Sequence, residues 1–503
     1  MQVRLIAAAA LAAAAGSSHA ISLANIDAAR AAGTLKEVVL FGASAQTPMV
    51  AAYMKNVICA GATDYDEFWN DASGKNFRAY SCTLTAAHGF GKNAKVLVIK
   101  RDKDGSIYGV NQVAEGTQGQ SMVVSVAGCS AYNHAVTPAA TCATTTPTSP
   151  TAGLSDVEPA QFAKLVKING VANVTLNQPA GNDDVGNPWT VPTTAQINSL
   201  DIASMGQTLF GVAVSRSLRD ALQSAQGLTV GSDAEADMPS LGKAFVAGVL
   251  SGYVRGNQAG FANWSSVTGV AADASKQVYV CRRVAGSGTQ VTSNLFFLEA
   301  GVLADTAAGM LAPVSSGAAT NVDGTPYAGL TVNEGSGTGD VETCLTTSHG
   351  NDYALGVVSR EKDPLVNGKA YRFVRIDGQA PKQSLARKGQ YGFVYTSSMQ
   401  WVKSGLATDV KNFLTGMRRD AVTSNSISLY VGAEAKGGLM ASPHKWQVAT
   451  DGCGNPTDAD DAVYGSCVER IDLSDLTYNP NTHLYGNAAG YKTTSNAALH
   501  MVK

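Results

Sequence analysis

The segment from Gln277 to Leu298 constrains the fold more than any other stretch of this 503-residue chain. Gln277 to Cys281 reads as a strand, Ala285 to Thr289 as a turn of small residues, and Gln290 to Leu298 as a helix. A strand that passes through glycines straight into a helix is the building unit of a parallel sheet covered by helices. The order recurs near the N-terminus. There the apolar run Glu37 to Phe41 meets the turn Gly42-Ala43-Ser44-Ala45, and Pro48 suits a first helical turn. Strands are predicted at Lys95 to Lys100, Leu209 to Val214, Tyr353 to Val358 and Tyr371 to Ile376. A helix is predicted over Leu241 to Leu250, stopped by Gly252. The fold class is therefore α/β. The Thr-, Ser- and Pro-rich segment Thr141 to Gly153 is expected to be an exposed loop, and from about Val431 the chain becomes irregular and rich in Gly, Asn and Asp.

The turn in that first segment, Arg283-Val284-Ala285-Gly286-Ser287-Gly288-Thr289, is the candidate anion site. Glycines let successive backbone N–H groups face one point, and a helix N-terminus adds partial positive charge there. Ser287 and Thr289 supply hydroxyl donors, and Arg283 supplies a guanidinium whose fork matches an oxyanion bidentately. A GSGT turn alone is equally an ordinary tight turn. The arginine before it, with the flanking strand and helix, favours the anion site.

Charge and address narrow the function. There are 37 Lys and Arg against 39 Asp and Glu, a net charge of −2, which argues against a non-specific nucleic-acid binder. Arg4, the apolar run Leu5 to Ala15, and Gly16-Ser17-Ser18-His19-Ala20 have the form of a cleavable signal peptide, residues 1–20, cut after Ala20. That run is too short to span a bilayer, which takes about 20 residues, and no later stretch is long and apolar enough. No Cys follows the cut, so no lipid attachment is expected there. The mature chain is expected in the periplasm or secreted. Eight cysteines in an exported chain point to disulfides, and loop closure favours near neighbours: Cys59–Cys82, Cys129–Cys142, Cys281–Cys344 and Cys453–Cys467.

Several motifs in one order then carry a resemblance. Gly42 to Pro48 is similar to a GAGATFP-type first loop, and Gly153-Leu154-Ser155-Asp156 to a GASD-type loop. Ala247 to Trp264 is similar to a helix with a "G-K-I-x-x-W" segment, here with an insertion, and Arg283 to Thr289 to an RxDGSGT loop. Tyr353 to Val358 resembles a "GAIGY" strand, and Tyr371-Arg372-Phe373 the strand returning near the hinge. From about Val38 to Trp401 the chain thus resembles the phosphate-binding proteins of ABC transporters, which are type II periplasmic solute-binding proteins.

The resemblance implies two discontinuous lobes with hinges near Ser204 to Gly211 and Val358 to Tyr371. The first lobe would comprise 21–205 and 358–430, the second 206–357, with a C-terminal extension over 431–503. It implies inorganic phosphate or a related oxyanion held between the lobes. Gln46 and Thr47 would offer backbone N–H groups, Ser106 would be the second-loop serine, and Arg283, Ser287, Gly288 and Thr289 the lobe-two anion loop. Asp156 would accept a hydrogen bond from protonated phosphate and so turn away sulfate, which has no proton to give at neutral pH. Asp156 reads equally well as a helix N-cap before Val157-Glu158-Pro159. The implied partner is an ABC transporter membrane complex, with no cofactor, no metal and no catalysis. This chain departs from the family at Ala285, where an Asp usually orients the loop arginine, and at Gln46-Thr47, which replace a Thr and an aromatic residue.

Other readings rank lower. A secreted structural or interaction protein on the same fold would show an occluded or incomplete cleft, with Asp156 and Arg283 far apart. Leu84 to Gly89 resembles the histidine motif of chymotrypsin-like proteases, but Ser287 and Ser336 lack the GDSGG-type setting of the nucleophile. A phosphatase-like hydrolase lacks a nucleophile or metal cluster. Asn333 to Asp340 reads as a flexible turn, because no Arg stands four residues before Ser336. Asp451, Asp458, Asp460 and Asp461 read as a solvated loop without EF-hand spacing. Tyr391, Phe393, Tyr395 and Trp401 alternate as strand packing does.

Overall fold

Runs of apolar, β-branched residues build the sheet. In the strand Leu35–Gly42 (β1), Val38 to Phe41 are all buried, so both strand faces are covered, as in a parallel interior strand. Successive side chains point to opposite faces. Val39 and Phe41 join one apolar cluster with Leu97, Ile99 and Ile107. Val38 and Leu40 join another with Met49, Val50, Phe413 and Leu414. The computed structural model describes residues 21–421 except 169–170, 299–327, 351, 367, 383–384 and 387–389. Beyond 421 it describes the short strands Leu439–Met440, Thr477–Asn479 and Leu484–Gly486. The leader 1–20, the Cys453–Cys467 pair, the aspartates 451, 458, 460 and 461, and the rest of the extension 431–503 lie outside the described residues.

The first half of the molecule opens with helix α1 (Leu23–Ala31), β1 and helix α2 (Thr47–Tyr53). Strands β2 (Asp66–Trp69), β3 (Phe77–Thr83) and β4 (Lys95–Arg101) lead to helix α3 (Ser106–Glu115). Strands β5 (Gly119–Met122), β6 (Ala140–Thr141), β7 (Thr145–Thr148) and β8 (Ala152–Ser155) follow. Thus Thr141 to Gly153 is not wholly loop. Its β-branched threonines pair β7 with β5 in a separate two-stranded sheet, Ser121 opposite Thr146, and Thr145 to Pro147 remain exposed. The hairpin β9 (Val166–Ile168) and β10 (Val171–Val174) and helix α4 (Thr194–Asn198) precede the 15-residue strand β11 (Leu200–Val214).

The second half contains α5 (Arg216–Ala225), β12 (Ser240–Leu241), α6 (Lys243–Leu250) and α7 (Ser265–Thr268). Then come β13 (Val278–Arg283), α8 (Gly288–Leu298), β14 (Leu330–Gly335), α9 (Thr338–Thr346) and β15 (Tyr353–Ser359). Short strands β16 (Arg372–Phe373) and β17 (Arg375–Ile376), strand β18 (Val394–Val402) and helix α10 (Thr408–Ala421) complete it.

One mixed sheet runs β14-β13-β15-β11-β18-β8-β1-β4-β3-β2-β6. β1 is parallel to both β4 and β8, and β13 is parallel to both β14 and β15. β11 joins these two parallel groups. Residues Leu200 to Leu209 pair antiparallel with β18, and Phe210 to Val214 pair antiparallel with β15. The register slips between Ser204 and Gln207. The change of partner falls between Leu209 and Phe210. β16 pairs with Ala213 and Val214, β17 pairs with β12, and the chain rejoins the first group only at β18. Where the chain crosses, Phe393 stacks on Phe296 at 4.5 Å and meets Phe297 and Phe210, and Tyr391 donates to the Phe210 carbonyl at 2.7 Å. Among the described residues, three disulfides join Cys59–Cys82, Cys129–Cys142 and Cys281–Cys344. No helix among the described residues is long and apolar enough to cross a membrane.

Candidate functional site

The C-terminal ends of parallel strands converge from the two halves, which is where ligands bind in open α/β sheets. From the first half come the loop after β1, the loop after β4 and the end of β8. From the second come the loops after β13 and β14. Helix α3 reaches its position because it meets the sheet through glycines. A Cβ at Gly153 would lie 1.6 Å from the Gly109 carbonyl oxygen, so only two bare Cα atoms allow this approach. Gln400 donates to the same carbonyl at 2.7 Å. This contact brings Ser106, at the start of α3, to the end of β8, where its hydroxyl accepts the Asp156 N–H at 3.1 Å.

All eight residues singled out in the sequence are buried: Gln46, Thr47, Ser106, Asp156, Arg283, Ser287, Gly288 and Thr289. Most of them meet. A Cβ at Gly288 would lie 2.2 Å from the Ser106 hydroxyl oxygen and 2.7 Å from Asp156 Oδ2, so the second half presses its glycine onto the first. The Ile107 N–H donates to the Gly286 carbonyl at 2.9 Å across the same seam. Gln46 Nε2 donates to the Ser155 carbonyl at 2.9 Å, beside Asp156. Thr47 is turned differently. Its hydroxyl donates to Asp102 at 2.7 Å, and Asp102 also accepts from Lys100 Nζ at 2.5 Å. Buried Lys100 donates further to the Gly42 and Arg101 carbonyls at 2.8 and 2.9 Å. Lys100 and Asp102 thus tie the first two loops together.

Arg283 is oriented by residues of the segment Asn333 to Asp340, whose sequence predicts only a flexible turn. Its Nη1 donates to the Thr338 hydroxyl at 3.0 Å and its Nη2 to the Ser336 carbonyl at 2.6 Å. β13 and β14 lie side by side with Arg283 opposite Gly335, so Gly335-Ser336-Gly337-Thr338 is a second GSGT turn between a strand and a helix. These contacts occupy the role that Ala285 cannot fill. The repeated tetrapeptide, each copy following an apolar run, was the available signal. Asp340, in the first turn of α9, accepts the N–H of the N-cap residue Gly337 at 2.8 Å and reaches Lys75 of the first half at 3.2 Å.

Burial sets the electrostatics. It pushes the Asp156 carboxyl up to about 7, helped by the like charge of Glu361 and opposed by Arg283 and Lys100. Asp156 Oδ1 is buried without a hydrogen-bond partner. Glu361, also buried and raised by burial, accepts the Ser359 hydroxyl at 2.7 Å. Burial lowers Arg283 and Lys100 from their usual ranges, while Asp156 and Asp102 respectively pull them back up. The N-cap reading of Asp156 does not hold, because the next helical turn, Pro159–Ala163, is capped at Glu158. His88 precedes β4 and so lies at the opposite end of that strand from the cluster. Among the described residues, Cys281, Cys344 and His349 bring ligand atoms within 4.8 Å, but both sulfurs are joined in a disulfide.

No protein-family model matches the chain, and no curated protein matches it by sequence. Solved structures do. A DING protein matches with TM-score 0.39 and 13% identity, over 80% of this chain and 90% of its own. A human phosphate binding apolipoprotein matches with TM-score 0.39 and 12% identity over the same shares. An ABC-type phosphate transport receptor from Vibrio cholerae matches with TM-score 0.37 and 12% identity, over 80% of this chain and 99% of its own. TM-scores this low carry no inference about ligand or activity. The α/β fold stands on the strand pairing described above.

Proposed function

We propose that the chain is an exported solute-binding protein that captures phosphate or a similar oxyanion between its two halves. The observation that carries this reading is one buried cluster of opposed groups. Asp156 and Ser106 on the first half meet Gly288 on the second, with Arg283 buried beside them. An acceptor that is half neutral near pH 7, set against a guanidinium, suits an anion that still holds a proton. Gly288 and Thr289 at the start of α8 add N–H donors, and Ser287 and Thr289 add hydroxyls, the Ser287 N–H itself being donated to the Val284 carbonyl at 3.1 Å. Such capture involves no covalent step, and delivery to an ABC transporter is its natural use. Export is supported by the leader and by the three disulfides. N-terminal sequencing of the exported protein should read from Ile21.

One observation favours the reading as a secreted interaction protein. Both terminal nitrogens of Arg283 are engaged within the second half, on Thr338 and Ser336. Equilibrium dialysis of the mature chain against radiolabelled phosphate separates the two. Retention by the wild type and loss in Arg283→Ala supports capture. No retention by a folded wild type supports the interaction protein. Turnover of a chromogenic phosphate ester would overturn both in favour of a hydrolase.

A further inference from the structure

The second half carries another hollow, lined by none of the residues of the cluster around Asp156. It has a cavity volume of about 60 Å³, is open to solvent on one side, and lies between α5, the loop leading to β12, the loop after β15, and β16. Apolar surface dominates it, with Phe373, Met238, Pro239 and Leu365 among its walls, and three arginines, Arg219, Arg360 and Arg372, also line it.

The arginines are not equally satisfied. Arg372 grips Asp233 with Nε and Nη2 at 2.7 and 2.9 Å. Arg219, only 2% exposed, donates Nη1 to the same Asp233 at 2.7 Å and Nε to Asp220 at 2.7 Å. Hydrogen bonds from Arg372 and Arg219 hold the Asp233 carboxyl well below the usual carboxylate range. Arg360 lies over the Phe373 ring at 4.8 Å and pairs with Asp363 at 2.9 Å. Arg219 Nη2 is buried and has no acceptor. The two carboxylates that line the hollow are both already paired with arginines, so neither completes it.

A buried guanidinium nitrogen without an acceptor is unfavourable, and a planar carboxylate is the group that fits it best. Apolar walls beside that donor call for an apolar body attached to the carboxylate. We propose that this hollow is a second ligand site, which takes a small carboxylate with an apolar body. The carboxylate meets Arg219 Nη2, and the body lies on Phe373 and against Leu365.

The test is a titration of the full chain, kept in saturating inorganic phosphate, with benzoate and with the neutral benzyl alcohol. Benzoate should bind while phosphate occupies the cleft, and should bind equally in Arg283→Ala, so this result stands apart from the fate of the cleft. Arg219→Gln should weaken benzoate about tenfold or more. Arg219 also holds the Ser232 carbonyl at 2.7 Å, so Leu365→Glu serves as the second variant. Its side chain is 53% exposed, and a like charge there should weaken benzoate to a similar degree without unfolding the chain. Absence of benzoate binding, unchanged binding in Leu365→Glu, benzyl alcohol binding as tightly as benzoate, or competition by inorganic phosphate would each overturn the proposal.

Discussion

Asp156 and Arg283 face each other from two halves of the chain, each buried in surroundings that disfavour its own charge. If Arg283 grips the ligand, Arg283→Ala should lose about 2–5 kcal/mol of phosphate binding, readable as the shift in dissociation constant. Asp156 makes a pH prediction of definite sign. Its folded pKa is raised to about 7, so between about pH 4 and pH 7 the folded ligand-free protein holds more protons than the unfolded chain. Its contribution to stability is full below that window and is lost as pH rises through it. Asp156→Asn should therefore flatten the fall in melting temperature across this range, and a wild-type slope retained in the variant would exclude the effect. The arginine and its GSGT turn were legible in the sequence because strand, glycines and helix are contiguous. The partners of Arg283 were not. Ser336 and Thr338 lie 53 and 55 residues on, and only the pairing of β13 with β14 brings them alongside.

Elements carry these residues into place. The α3 contact through Gly109 and Gly153 fixes where Ser106 meets β8. Gly153→Ala forces a methyl into the Gly109 carbonyl and should cost about 1–3 kcal/mol or more, measured by urea unfolding. Lys100→Met leaves Asp102 buried with an uncompensated charge and should cost about 3–5 kcal/mol. Stability unchanged in Lys100→Met would mean that this tie between the first two loops contributes nothing. Continuous apolar runs made β1, β4, β13 and β15 readable, since strands buried on both faces leave that pattern. Tyr371 to Ile376 reads just as clearly as strand, but alternation does not say which sheet a strand joins. Its partners, Ala213, Val214 and β12, are distant in the chain, and no local pattern points to them.

At the scale of the molecule, β11 belongs to both halves and changes partner at Leu209 and Phe210. Under oxyanion capture, this shared strand is the expected turning point of the two groups of strands. The seam between them is closed by contacts too tight for any side chain at Gly288. Gly288→Ala should hold the halves apart, giving a larger radius of gyration by X-ray scattering in saturating phosphate than the wild type. An equal radius for both would place closure elsewhere. The most direct test of oxyanion capture is calorimetric titration of the mature, phosphate-stripped chain with phosphate and then with sulfate near neutral pH. Saturable phosphate binding with negligible heat from sulfate is expected, with loss of that discrimination in Asp156→Asn. Absence of heat from either anion, with the protein folded, would contradict oxyanion capture.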